Sequence, residues 1–264
     1  MTLPVETAAA PHRRLLRVRP LVRYVDHDQA VIEAHFTTLP PVDDPDALPP
    51  GRAVDVQVEI DNADGFHDEG TARVQLDGHR GRVRFEMVRP RRWWPAGMGE
   101  QVLYDLSLRL TDADGAADER TVSFGLTSIR RDRVLGEGFD PSLLVNGRIC
   151  DIDSVVVIDR VNERRLLPAN GESLLLVRDH FGPELLYDAA DRAGILLIQC
   201  VPIGERAVDE AAVDDQVRRL SGHPSLAGYF VGHLGALSDA VADALRRLDP
   251  TRSVFRRFPL DAAA

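Results

Sequence analysis

GILLIQCVPI, residues 194–203, decides the fold of the second half of the chain. It is an apolar run of strand length with almost no alternation, and such strands are buried on both faces, as in a parallel sheet covered by helices. Working outward, SVVVI (154–158), SLLLV (173–177) and SLAGYFVG (225–232) share this texture. Between the runs stand stretches with helical spacing. They are PELLYDAADRA (183–193), with Pro183 at the first helical position, DEAAVDDQVRRL (209–220), and SDAVADALRRLD (238–249), with Ser238 as N-cap and arginines in the last turn. Strand, helix, strand, helix predicts βαβ units.

Upstream of Arg130 the period changes to two. QAVIEAHF (29–36), AVDVQVEI (53–60), ARVQL (72–76), RVRFEMV (82–88), VLYDLSLRL (102–110) and RTVSFGL (120–126), with the stretch 15–25, predict seven half-buried strands. Turn chemistry separates them: Pro40-Pro41 through Pro49-Pro50-Gly51, Asp64-Gly65, Asp77-Gly78 and Asp114-Gly115. Seven short strands in a little over a hundred residues predict an immunoglobulin-like β-sandwich. The fold class is therefore multidomain β plus α/β: a tail over 1–13, an immunoglobulin-like β-sandwich over 14–130 and a partial (β/α) barrel over 131–264. A complete barrel takes at least roughly 200 residues, and only roughly 130 follow the sandwich.

The chain has 264 residues, of which 44% are apolar and 28% charged, the balance of a folded protein rather than a disordered one. Its net charge is −10 and its 32 basic residues are all arginine. Without lysine there is neither a P-loop nor Schiff-base chemistry. The acidic balance speaks against nucleic acid and anionic membranes as partners. The pairs Arg91-Arg92 and Arg256-Arg257 read as solvated faces. Cys150 and Cys200 lie far apart in apolar runs and read as buried inert thiols, ahead of a disulfide or a metal site. The first twenty residues lack a signal-peptide core and no run approaches the ~20 apolar residues of a membrane span, so a cytoplasmic location is expected. No G-x-S-x-G, G-x-G-x-x-G or C-x-x-C occurs, and no cofactor is expected.

Residues 90–150 carry a family signature. Pro90 with Trp93-Trp94-Pro95, Gly99, Val102-Leu103-Tyr104, Asp118, Phe124-Gly125-Leu126-Thr127 and Val145-Asn146-Gly147 resembles the glycoside hydrolases of family 2. In that family a sandwich closes on this pattern and a barrel opens with an Asn-Gly turn. The resemblance continues through Val177-Arg178-Asp179-His180, then Leu186-Tyr187-Asp188 with Asp191 and Gly194-Ile195-Leu196, then Gly222-His223-Pro224-Ser225, and ends with Leu248-Asp249-Pro250-Thr251-Arg252. The tryptophans read as sandwich core rather than sugar platforms.

The resemblance implies a retaining glycosidase, in which one carboxylic acid protonates the glycosidic oxygen and a second carboxylate, ~5 Å away, attacks the anomeric carbon. The acid/base would stand at the end of the fourth barrel strand, where this chain reads Gly232-His233-Leu234. Leucine donates no proton, and loss of a positioned general acid lowers rates by ~10²- to 10⁴-fold. The nucleophile's strand has no counterpart before Ala264. With only a short tail ahead of the sandwich, the family's N-terminal jelly roll is not expected here, and the segment from Asn162 to Gly171 leaves little room for the first barrel helix.

The remaining candidates near strand ends are Asp159, Arg178, Asp179, His180, Glu205, His223 and His233. The resemblance gives Arg178 and His180 places in a sugar pocket; Asp179 and Glu205 are further candidates for sugar contact, and they are the one carboxylate pair that could serve an enzyme with a relocated site. The alternative is an Arg178 held in an internal ion pair and a His180 that is only a loop residue. His180, Asp179 and His233 lack metal-ligand spacing, and no metal is expected. Half a barrel leaves sheet edges and an unfilled interior, which calls for a covering surface. The expected function is thus a noncatalytic family 2-like interaction or assembly module, a homo-oligomer or the companion of a partner protein. A carbohydrate-binding protein using the residual cleft is the first alternative. A glycosidase hydrolysing O-glycosyl bonds, completed by a partner chain or through a relocated site, is the second.

Overall fold

The computed structural model describes residues 14–39, 53–111, 117–131, 143–152, 154–160, 173–202, 210–231 and 236–256. Their structure is mostly β-sheet with few helices. The seven predicted strands of the first half are present: β1 (Arg14–Val25), β2 (Gln29–Leu39), β3 (Ala53–Asn62), β4 (His67–Gln75), β5 (Arg80–Val88), β6 (Tyr104–Thr111) and β7 (Ala117–Phe124). They form a three-stranded sheet in the order β1-β2-β5 and a four-stranded sheet in the order β4-β3-β6-β7. Strand β4 starts five residues before the predicted run, at His67, and is exposed along nearly all its length. An edge strand with both faces in water carries no alternation for sequence to show. Gly65 (φ 86°) and Gly78 (φ 58°) make the two expected turns with left-handed backbone. The turns predicted at 40–51 and 114–115 lie outside the described residues.

Two compact units emerge. The first takes its described residues from 1–19, 34–83 and 105–122, and the second from 20–33, 84–104 and 123–264. The sequence reading divides the chain at 130/131, whereas the second unit also includes three segments from the strand-rich half, 20–33, 84–104 and 123–130.

In the second unit, β8 (Ile129–Arg131), β9 (Leu143–Val145) and β10 (Arg148–Cys150) form a small antiparallel sheet. A five-stranded sheet follows, made of β11 (Ser154–Ile158), β12 (Ser173–Val177), β13 (Leu197–Cys200), β14 (Leu226–Phe230) and β15 (Ser253–Phe255). All four pairings are parallel and the strands stand in chain order. The helices α1 (Glu184–Ala193), α2 (Glu210–Leu220) and α3 (Ala236–Leu248) connect its last four strands. Pro183 is the N-cap of α1, one residue earlier than predicted, with extended backbone (ψ 153°). Ser238 lies inside α3 and so is not its N-cap.

Both faces of this sheet are buried, as the unalternated runs require. Val156, Ile158, Leu175, Val177, Leu197 and Tyr229 share a core with Leu186, Tyr187 and Ala190 of α1, Val217 of α2 and Leu245 of α3. On the opposite face Leu174, Leu176, Leu196, Ile198, Ala227 and Phe255 pack with Trp93, Ile129, Leu143 and Val145. That face is not the unfilled interior expected from the sequence. Fully buried Trp93 sits in the core of the second unit, which also corrects its reading as sandwich core. Among the described residues no helix is long and apolar enough to cross a membrane.

Candidate functional site

In a parallel sheet flanked by helices, ligand chemistry gathers at the carboxyl ends of the strands and stability at the amino ends. At the carboxyl end of β12 stand Arg178, Asp179 and His180. Arg178 Nε donates to Asp179 Oδ2 at 3.1 Å, with side chains 55% and 72% exposed. Asp179 has left-handed backbone (φ 68°), an uncommon state for a residue with a Cβ. His180 turns inward and is buried, with Nδ1 donating to Arg178 O at 2.9 Å. The Arg178–Asp179 pair also influences the Cys200 thiol at the end of β13. Burial pushes that thiol up to about 12, with Asp179 adding to the rise and Arg178 opposing it. Cys150 is raised by burial as well, so both cysteines are poor nucleophiles, and both are free.

Gln199, which the sequence reading did not single out, organises this end. It is fully buried on β13. Its Oε1 accepts from Gly182 N at 3.1 Å and from the Tyr187 hydroxyl at 2.5 Å, and its Nε2 donates to His180 O at 2.7 Å. A polar side chain inside an otherwise apolar run was the available signal. Glu205 and the Gly232-His233-Leu234 segment lie outside the described residues.

His223 does not join Arg178 and Asp179, because it precedes β14 and stands at the amino end of the sheet. Its Nδ1 faces Asp191 Oδ2 at 2.6 Å and its Nε2 faces Glu184 Oε1 at 3.2 Å. Asp191 Oδ1 accepts from Ser225 N at 2.9 Å, and Arg219 donates to Glu184 Oε2 at 2.8 Å. Asp188, Asp191 and His223 offer atoms within 4.8 Å of one another. Within this group His223 pairs with Asp191 Oδ2 while Asp191 Oδ1 holds Ser225 N.

Several of the signature residues meet at this same amino end. Trp93 Nε1 donates to Asp191 O at 2.8 Å. Asn146 (φ 51°) and Gly147 (φ 83°) form the two-residue turn between β9 and β10, both with the positive angles of a type I′ hairpin. The Asn146 side chain donates to Trp93 O at 2.9 Å and accepts from Ser128 N at 3.0 Å. Gly194 caps α1 with φ 72°, and a Cβ there would meet Ala96 N at 2.5 Å. A Cβ on Gly125 would meet Pro224 Cγ at 2.4 Å. Arg252, buried, donates to His223 O at 2.8 Å and to Leu226 O at 3.1 Å. Trp94 lies under two guanidiniums, those of Arg92 and Arg148, each 5.3 Å from a ring centroid.

A strand-rich first half is followed by a parallel sheet whose last four strands are connected by helices. Residues 47–126 match the profile of Glycosyl hydrolases family 2. Exo-beta-D-glucosaminidase of Streptomyces avermitilis is 28% identical over 193 residues, which are 60% of this chain and 20% of that protein. Beta-mannosidase A of Neosartorya fischeri is 26% identical over 197 residues, 61% of this chain and 21% of that one. The chain thus spans about a fifth of the length of the curated relatives it matches. Among solved structures, a family 2 member from Bacteroides cellulosilyticus covers 92% of this chain with a TM-score of 0.68 at 19% identity, the match taking up 36% of that chain. The exo-chitosanase of Amycolatopsis orientalis covers 93% with a TM-score of 0.67 at 21% identity, over 32% of its own length. The chain is homologous to the glycosyl hydrolases of family 2.

Proposed function

We propose that the chain is a noncatalytic family 2-type module that works by assembling with a second copy of itself or with a partner protein. Its first half is read as an immunoglobulin-like β-sandwich and its second as part of a (β/α) barrel. The chain-order parallel sheet supports the latter, since barrel strands run in chain order. One observation carries the functional reading. Signature residues such as Trp93, Asn146, Gly194 and Arg252 serve packing at the amino end of the sheet, and the resemblance puts a leucine, Leu234, where the family has its acid/base. A side chain without a proton cannot serve as the general acid.

Two measurements test this. Light scattering coupled to size exclusion is expected to give a dimer or larger, and a clean monomer overturns assembly with a second copy. Aryl β-glucosaminides and β-mannosides are expected to remain intact, and turnover at rates ordinary for a glycosidase overturns the noncatalytic reading.

A second reading has its own support. It is supported by Arg178 and Asp179, exposed at the carboxyl end of β12 with the latter on left-handed backbone, and by buried His180 next to them. Carbohydrate binding there predicts calorimetric heats with glucosamine or mannose that vanish in Arg178→Ala.

A further inference from the structure

The buried charges at the amino end of the parallel sheet take no part in the proposed function, yet they include an ionisable group held between two carboxylates. We propose that His223 is an electrostatic lock: a buried imidazolium that pins α1 to the turn leading into β14 and lets this end of the second unit loosen when it loses its proton.

The geometry admits few alternatives. His223 is 5% exposed. From α1 it faces Asp191 at 2.6 Å, Glu184 at 3.2 Å, Asp188 at 4.0 Å and the Tyr187 ring with centroids 5.3 Å apart. From α2, Arg219 approaches through Glu184 and also donates to Gly182 O at 2.6 Å. Ahead of β15, Arg252 donates to the His223 carbonyl. It also donates to Thr251 Oγ1 at 2.7 Å and stands 3.5 Å from Asp249 Oδ1. Only the doubly protonated ring can donate to Asp191 and Glu184 together. A neutral ring must turn a lone pair toward one carboxylate. If that carboxylate is Asp191, whose side chain is 7% exposed, the repulsion falls where water cannot relieve it.

The titration agrees in sign. Burial, the largest single influence, pushes the imidazole down, but the hydrogen bonds and charges of Asp191 and Glu184 together outweigh it and hold His223 up at about 9. A raised folded value means that the stabilisation is complete below about 6.5, the unfolded value, and is lost as pH climbs from there through about 9.

The test uses the intact chain. Histidine ring resonances followed by NMR from pH 5 to 10 are expected to show one imidazole with a midpoint near the raised value of about 9, well above an ordinary histidine. Urea denaturation is expected to lose stability over the same window. Glu184→Gln keeps the Asp191 contact and, at a side chain 52% exposed, should fold. It is expected to lower that midpoint measurably and so to identify the resonance. His223→Gln is expected to abolish the alkaline loss of stability. If every ring titrates near 6.5, or if Glu184→Gln leaves every midpoint in place, the lock is overturned, whether or not His223→Gln folds.

Discussion

Gln199 is the residue on which the carboxyl end of the sheet turns. Replacing it with leucine removes the acceptor for Gly182 N and the donor for His180 O inside a closed core. Stranded buried polar groups of this kind cost about 1–3 kcal/mol each, so Gln199→Leu should lower the urea unfolding free energy by roughly 2–4 kcal/mol. Amide exchange at 180–182 should quicken with it, and a wild-type unfolding curve would show that these bonds contribute nothing. Glu184 sets the acid limb of stability. Burial, its largest single influence, pushes the carboxyl up, but hydrogen bonds from His223 and Arg219 and their charges outweigh it and hold the group at about 2. A lowered folded value stabilises fully above about 4.5, and that contribution disappears as pH falls toward 2. Melting temperature measured from pH 5 to 2 should therefore fall less steeply in Glu184→Gln than in wild type.

Among the elements, the two short connections at the amino end carry the most constraint. The β9–β10 turn needs positive φ at both positions, and its asparagine also bridges the segments at 93 and 128. Asn146→Ala keeps neither bridge and strains the backbone, a loss of roughly 2–3 kcal/mol measurable by calorimetry. Gly194→Ala meets two obstacles together, a left-handed φ and the Ala96 nitrogen 2.5 Å from the new methyl. About 1–3 kcal/mol should be lost, and an alanine variant as stable as wild type would contradict the close approach of these two segments. Strand β4 shows the opposite case. With water on both faces it has no periodic pattern, which is why only its last few residues were legible.

At the scale of the second unit, Trp93 joins parts of the chain that are distant in sequence. It packs on the sheet face with Leu174, Leu176 and Ile198, and it reaches Asp191 at 2.8 Å across 98 positions. Trp93→Phe deletes that bond and leaves a small void, and thermal unfolding should report a loss of about 1–3 kcal/mol. The covered sheet face also alters the case for assembly. An empty interior would demand a partner, whereas a face filled by Trp93, Leu143 and Val145 does not. The proposed assembly role therefore stands on the leucine that the resemblance puts at the acid/base position, and solution molar mass tests it.

Strand and helix content, the parallel character of the second half and the family resemblance follow from sequence alone. Period, run length and turn residues are local quantities, and GILLIQCVPI between two helical stretches admits few other readings. Where Trp93 packs, that His223 faces Asp191 and Glu184 rather than Arg178, and that Gln199 holds the β12 loop were decided only by tertiary structure. Each depends on which distant segment arrives beside it, and a ring of charges at one end of a sheet leaves no spacing in the chain for a reader to find.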